Sequence, residues 1–333
     1  MKIAVLALTK GGKKLAGAIA DDLPDCRVLY SDHGVGAALR TNWQVYDAFV
    51  CIMATGIAVR SIAGLLQDKH SDPAVIVLDE KGDHVISLLS GHLGGGNTLA
   101  RRIAGITGGA AVITTASDTL GLVPLDLWAA EQNLHATDSG VFTAACSLLV
   151  NTGSLRVFCD VDVAQLPPGL CRVNAISEAD LLISHRLPPH GTLSLHPHNL
   201  VVGVGCNRNT PVQEFEEAMA ELFEDLGFST LSVRNLATID VKNDEEGMLL
   251  FARNNGWSID FFDRDTINTI TNVTRSDAAL KAVGAIGVAE PASLLSADTT
   301  TLLSRKRKWR NITMAVARAD FMLSAQALDH LNT

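Results

Sequence analysis

The 333-residue sequence predicts an α/β protein, with two α/β domains carrying mixed sheets and a smaller variable middle region joining them. Three observations carry that expectation. Apolar strand-like runs alternate with helical patterns through roughly the first 125 residues. The alternation restarts at "NLVVGVGCNRNTPVQEFEEAMAELFEDLG". Between the two, periodicity weakens and prolines gather, which places the domains at residues 1–126, 127–198 and 199–333.

Taken in order, "KIAVLAL" reads as a buried strand and "KKLAGAIADDL" as the helix after it. "YDAFVCIMA" is a second strand, followed by Thr55-Gly56 and a helix through "AVRSIAGLL". "PAVIVLDEKGDHVISLL" reads as a hairpin turning at Lys81-Gly82-Asp83, and it is what makes the first sheet mixed. A glycine-rich loop then leads into a helix from about Thr98, and "AAVITT" is a further buried strand. In the middle region "LDLWAAEQNL" and "SGVFTAACSLLV" read as helices, while "SLRVFCDV" and "ADLLISHR" read as strands. "RLPPHGTLSLHPHNL" reads as a linker or long hairpin loop. In the last domain "LVVGVG" is a strand, and Thr210 stands as the cap of the next helix with Pro211 at its first position. Gly227 stops that helix. "VRNLATIDV" is a strand, "DEEGMLLFARNNG" a helix, and "TTTLLSRKRKWRNITMAVARA" two strand-like runs around a basic turn.

Composition narrows the function. A net charge of −9 argues against a general nucleic-acid binder. No apolar run approaches the roughly 20 residues of a membrane span, so a soluble protein is expected. Six cysteines are scattered without a C-x-x-C pair, which reads as buried reduced thiols in a cytoplasmic compartment. His185, His190, His196 and His198 lie around prolines at spacings that match no standard metal site, so no metal ligand is assigned.

The chemistry-bearing stretch is "SGHLGGGNTLA", Ser90 to Ala100. A strand, a glycine loop and a helix start favour an anion, with Asn97 as the candidate cap. The phosphate patterns fail, because there is no G-x-x-x-x-G-K-[ST] and no G-x-G-x-x-G. Two readings stay open: a glycine turn for close packing, or a loop approaching a ligand with His92 as a proton-transfer group. Three further loops are expected on the same strand-end rim. They carry Thr55, Gly56 and Arg60; Asp68, Lys69 and Asp72; and Thr114, Thr115, Ser117, Asp118 and Thr119. In the last domain "GVGCNRNTP" sets Cys206 and Arg208 before a helix, and "ATIDVKNDEEG" offers Asp240 and Lys242. Cys206 reads as a structural thiol ahead of a nucleophile, since no histidine lies nearby in sequence. The basic run Arg305 to Arg310 reads as a solvated hairpin turn, or else as a receiver of an anionic ligand.

Several of these segments together resemble one known family. "TGIAVRSIAGLLQDKHSDPAVIVLDEKG", "LLSGHLGGGNTLAR" and "ITTASDTLG" are similar to the N-terminal domain of the CbiG family, the cobalt-precorrin-5A hydrolases of anaerobic cobalamin biosynthesis. "VGVGCNRNTP", "LATIDVKNDEEG" and "AVGAIGVAEPASLL" followed by "RKRKWRNITMAVAR" resemble its C-terminal domain. Two departures stand out. The family's usual Gly-Gly-Ala-Asn is here Gly94-Gly95-Gly96-Asn97, and the commonly basic position after the cysteine is Asn207.

The resemblance implies a cobalt-bearing anionic corrinoid as substrate. Water opens its δ-lactone, and the bridging carbon with its methyl leaves as acetaldehyde. It implies no cofactor held by the protein, since the cobalt arrives with the substrate. His92 would be the general acid or base, oriented or supplemented by Asp118 or Asp68, with backbone N–H groups of Gly94 to Asn97 on the oxyanion or a carboxylate. Arg60, Lys69, Arg208 and Lys242 would pair substrate carboxylates, with Thr55, Gly56, Thr115, Cys206 and Asp240 completing the binding set. Nucleic acid and membrane are not expected partners; a homodimer and transient contact with other corrinoid enzymes are compatible. Two rival readings are a non-catalytic corrinoid carrier and a nucleotide-binding α/β regulator, the latter disfavoured by the missing phosphate motifs.

Overall fold

The computed structural model describes residues 1–30, 33–68, 71–92, 94–189 and 192–325, and its contacts divide the chain after Trp128. In the first unit the elements run β1 (Ile3–Ala7), α1 (Lys10–Asp22), β2 (Cys26–Val28), α2 (Val35–Asn42), β3 (Ala48–Ile52) and α3 (Thr55–Ile62). They continue with β4 (Ala74–Leu78), β5 (His84–Leu89), α4 (Gly96–Thr107), β6 (Ala110–Val112), α5 (Ala116–Leu120) and the start of α6 (Leu125–Glu131). The six strands form one sheet in the order β2-β1-β3-β4-β5-β6.

That sheet is buried on both faces, which is why its strands are continuous apolar runs rather than alternating ones. Val5, Val50, Ile76 and Leu78 point to one face, where Ala16 and Ile19 of α1 and Ile103 of α4 cover them. Leu6, Phe49, Cys51 and Val77 point to the other, under Leu39 of α2 and Ala58 and Ile62 of α3. The period of two along each strand therefore separates two cores.

Chain direction within the sheet decides where the loops go. β1, β2, β3 and β4 are mutually parallel, β5 runs antiparallel to β4, and β6 runs parallel to β5. The expected hairpin is present, and the Asp79 carboxylate holds it by accepting from Lys81 N at 2.9 Å and His84 N at 2.7 Å. Its consequence is that β5 and β6 end at the opposite edge of the sheet from β1, β3 and β4.

The second unit carries β7 (Leu134–His135), α7 (Ser139–Thr152), β8 (Leu155–Cys159), β9 (Asp162–Val163), β10 (Leu170–Arg172), β11 (Leu181–Ile183) and β12 (Leu193–Pro197). Five of these strands make a sheet of order β10-β8-β11-β12-β7, all parallel except β7. The segment expected as a linker is therefore in part a sheet strand. His196 within it is fully buried, with Nδ1 2.8 Å from Ser184 O and Nε2 3.2 Å from Ser194 Oγ. The prolines flank β12 and do not interrupt it, except at its last residue. His190 lies outside the described residues.

The chain then forms β13 (Leu200–Cys206), α8 (Val212–Leu226), β14 (Val233–Ile239), α9 (Glu246–Asn255), β15 (Ser258–Phe262), α10 (Arg264–Asn268), α11 (Asp277–Val283) and α12 (Ala289–Ala297). It closes with β16 (Leu302–Lys308), β17 (Ile312–Arg318) and β18 (Met322–Leu323). The main sheet, β15-β14-β13-β17-β16, is mixed, because β17 runs antiparallel to β13. Phe215, Leu222 and Phe251 of α8 and α9 fill one of its faces, and Ala292 of α12 lies on the other. Two local expectations are corrected here. Pro211, not Thr210, caps α8, and Thr210 Oγ1 instead donates to Asn207 O at 2.9 Å. The basic residues Arg305 to Lys308 lie in β16 rather than in the turn, because Trp309 to Asn311 alone reverse the chain. Among the described residues no helix is long and apolar enough to cross a membrane.

Candidate active site

The glycine loop sits between the end of β5 and the first turn of α4, and it packs tightly on itself. A Cβ on Gly94 would lie 2.5 Å from Ser90 Cβ, and one on Gly96 would lie 3.0 Å from Leu89 O. Gly95, at φ +72°, is the residue that enters α4. The expected cap, Asn97, is instead a buried residue of the first helical turn. Of the loop N–H groups expected to hold an oxyanion, those of Gly95, Gly96 and Asn97 bond within the loop. Gly95 N donates to His92 O (2.9 Å), Gly96 N to Ser90 O (3.1 Å) and Asn97 N to Gly91 O (2.8 Å), so these donors are already engaged. Of the two open readings of the glycines, close packing is the one their geometry fits.

What the loop presents is His92. Its side chain is 18% exposed, with Nε2 2.9 Å from Asp118 Oδ2 and Nδ1 3.6 Å from Asp126 Oδ1. Ser117 Oγ, at the start of α5, stands 3.3 Å from Nε2. Asp118 is gripped further: Arg101 Nη2 donates to Oδ1 at 2.6 Å and Asn97 Nδ2 to Oδ2 at 2.9 Å. Asn97 Nδ2 also lies 3.3 Å from Thr115 Oγ1. Arg101 Nη1 is buried and has no partner among the described residues.

The charges are mutually tuned. Asp126 first, and Asp118 after it, hold the His92 pKa above its ordinary value, against the opposing effect of burial. For Asp118, burial alone would raise the pKa; the Arg101 guanidinium and His92 outweigh it, and the carboxyl stays below its usual range. The resting arrangement is thus an imidazole flanked by two carboxyl groups, with one guanidinium behind, in which the protonated ring is favoured. When protonated it is a proton donor, and after donation it becomes a base whose two nitrogens are both oriented.

Of the sequence-expected residues, His92, Asn97, Thr115 and Asp118 come together. Asp68 caps its own loop, accepting from Ser71 N at 3.1 Å and Ser71 Oγ at 2.7 Å, and Asp118 rather than Asp68 orients the histidine. Lys69 lies outside the described residues. Thr55, Gly56 and Arg60 do not share the rim: they follow β3, whose end is at the edge opposite His92. Arg60 folds back there, since a Cβ on Gly56 would meet its Nη1 at 3.3 Å. Thr55 instead lines a cavity of about 550 Å³ with Thr9, Met53, Asp79, Glu80 and His84. Sequence reasoning did not assign Arg101 or Asp126. Arg101 had a signal, being four residues after Asn97 on one face of α4; Asp126 had none.

In the second unit, Cys206 ends β13 and is half-buried, and burial pushes its thiol up to about 11 despite Lys242 and Arg208. It is a thiol rather than a thiolate nucleophile. The expected carboxylate-binding cations are already paired: the buried Lys242 donates to Glu245 Oε2 at 2.9 Å, and Arg208 Nη1 pairs with Asp244. Arg208 Nη2 also donates to Val241 O at 2.9 Å, and Glu245 Oε1 accepts from Asn209 N. Asp240 opens the short turn before them, its carbonyl accepting from Asn243 N at 3.0 Å. This network ties the β13–α8 loop to the segment entering α9.

Residues 37–118 match the family description "Cobalamin synthesis G N-terminal", and residues 200–317 match "Cobalamin synthesis G C-terminus". The chain is 32% identical to a cobalt-precorrin-5A hydrolase of Priestia megaterium, over 94% of both chains. It is 34% identical to the enzyme of that name from Salmonella typhimurium, covering 75% of this chain and 78% of that one. A cobalamin biosynthesis protein G homolog from Sulfolobus solfataricus, known as a crystal structure, aligns over 96% of this chain and 97% of its own, at 20% identity and a TM-score of 0.39.

Proposed function

Because the chain belongs to the cobalamin synthesis G family, whose curated relatives are named cobalt-precorrin-5A hydrolases, we propose that it performs that hydrolysis with His92 as its proton-transfer group. The observation that carries this reading is the placement of both imidazole nitrogens against carboxylates, Asp118 and Asp126. The expected reaction needs protons both removed and delivered. Adding water to the lactone carbonyl and breaking its C–O bond gives a carboxylate and a secondary alcohol. Removing the alcohol proton then breaks the adjacent C–C bond, releasing acetaldehyde, and the ring carbon left behind takes a proton. A histidine whose protonated form is favoured and whose ring is held from both sides serves the donating step, and its neutral form serves the accepting one.

Arg101, its side chain 36% exposed, is the cation in this cluster for the carbonyl oxygen or a peripheral carboxylate. Cobalt belongs to the substrate in this reading, and no protein-held cofactor enters the steps. The same reading makes the protein cytoplasmic, exchanging anionic corrinoids with neighbouring enzymes; a homodimer is compatible with it. Anaerobic incubation with cobalt-precorrin-5A, assayed for acetaldehyde, is the test. Stoichiometric release supports the enzyme, whereas tight corrinoid binding without release from a folded sample assigns a carrier instead.

A further inference from the structure

The second unit holds a cavity that this reaction does not use. It is about 400 Å³, with Phe158, Ile176 and Leu182 as walls and Asp160, Ser184 and Arg186 as its polar lining. Its position is topologically marked. The chain leaves β8 for β10 on one flank and returns as β11 on the other, all parallel, so β8 and β11 bound a switch point. Asp160 and Ser184 each follow the carboxyl end of one of these strands, which is where open parallel sheets bind ligands.

The polar lining is incomplete. Ser184 Oγ donates to Asp160 Oδ2 and accepts from Arg186 N at 2.9 Å. Asp160 Oδ1 is buried and has no donor among the described residues. The nearby cations do not supply one. Arg318 Nη1 reaches only the Asp160 backbone oxygen, at 3.3 Å, and the Arg186 guanidinium lies over the Phe228 ring, 5.7 Å from its centroid. His185 Nδ1 is 3.8 Å from Oδ2, and burial holds that imidazole neutral by lowering its pKa. A carboxylate in the lining of an apolar-walled cavity, its side chain 20% exposed and bonded to no cation among the described residues, calls for a donor attached to an apolar body.

We propose that this cavity binds a small primary amine with an apolar body, its ammonium donating to the Asp160 carboxylate and its hydrocarbon lying against Phe158, Ile176 and Leu182. A free amine and an apolar α-amino acid share this chemistry, and only the second brings a carboxylate for Arg186. Calorimetric titration of the full chain with isopentylamine, leucine and 4-methylpentanoate tests it. Saturable binding of an amine is expected, weakened about tenfold or more in Asp160→Asn, as befits loss of a charge-assisted hydrogen bond. Ile176→Trp, at a wall position 38% exposed, is expected to abolish binding while leaving the Asp160 contacts intact. Leucine binding more tightly than isopentylamine adds Arg186 to the site, and equal affinity leaves the ammonium contact as the basis of recognition. The proposal is overturned if neither amine binds saturably, if 4-methylpentanoate binds as tightly as both, or if a folded Asp160→Asn keeps its affinity within twofold. Ile176→Trp decides the matter should Asp160→Asn not fold.

Discussion

Asp126 stands 3.6 Å from Nδ1 of His92, on the face of the imidazole away from Asp118, although 34 residues separate the two in sequence. It is the largest influence raising the His92 pKa. Activity that needs the imidazolium is present below the folded-state pKa of His92 and is lost as pH rises through it. In Asp126→Asn that alkaline limb should move to lower pH in a kcat/KM profile, with the His92 imidazole titration by NMR moving alongside. An unmoved limb would remove Asp126 from the mechanism.

His92→Ala should retain corrinoid binding while turnover falls by about 10²- to 10⁴-fold, the usual contribution of a positioned acid–base group. Single-turnover acetaldehyde release, with binding followed by the corrinoid absorbance, separates the two effects. A variant within a factor of two of the parent rate would defeat the assignment.

Arg101 divides its guanidinium between Asp118 and an unfilled position at Nη1. Arg101→Lys keeps a charge but loses the planar fork, and kcat/KM should fall about 10- to 100-fold, the cost of a hydrogen bond to a charged group. Unchanged kcat/KM would leave Nη1 without a substrate role.

Cys206→Ser is expected to leave kcat within about threefold, because burial keeps the thiol protonated up to about 11. Slow alkylation of Cys206 by iodoacetamide at pH 7, read by mass spectrometry, is the companion observation. Fast alkylation together with lost activity would restore the nucleophile.

Glu290 gives a stability prediction. Its buried carboxylate accepts from Thr274 N at 2.6 Å and Lys306 N at 2.8 Å. Burial would raise its pKa, but these donors and Thr274 Oγ1 outweigh that and lower it. The resulting stability is present above the unfolded pKa of Glu and is lost as pH falls through the lower folded value. Glu290→Gln should cost about 1–3 kcal/mol at neutral pH, shrinking in acid. Urea unfolding at several pH values reads this, and a pH-independent cost would contradict the ionised role.

Much of this was legible in residue patterns, and the misses have physical causes. β3 and β4 were readable because a doubly covered sheet demands unbroken apolar runs, and the hairpin at Lys81-Gly82 was readable from its turn chemistry. The reversal it imposes was not carried through to the loops, so Thr55, Gly56 and Arg60 were expected beside His92 when they lie across the sheet. Local pattern shows that a strand exists and leaves its direction to the pairing. Asp126 was beyond reach for a related reason, since only the packed chain returns the start of α6 to the end of β5. In β12, prolines at the borders suggested a linker, while the apolar alternation of "LSLHP" was the better guide.

The β4–β5 reversal also shapes the electric field of the first unit. Were all its strands parallel, every helix after a strand would begin at one edge and gather its partial positive charge there. Here α1 and α3 begin at one edge, and α4 and α5 begin at the other. A chain of net charge −9 thus softens its repulsion of polyanions at two opposite edges rather than one. The edge bearing His92 receives the backbone dipole of α4, and the Arg101 side chain of that helix is turned onto the Asp118 carboxylate beside the histidine.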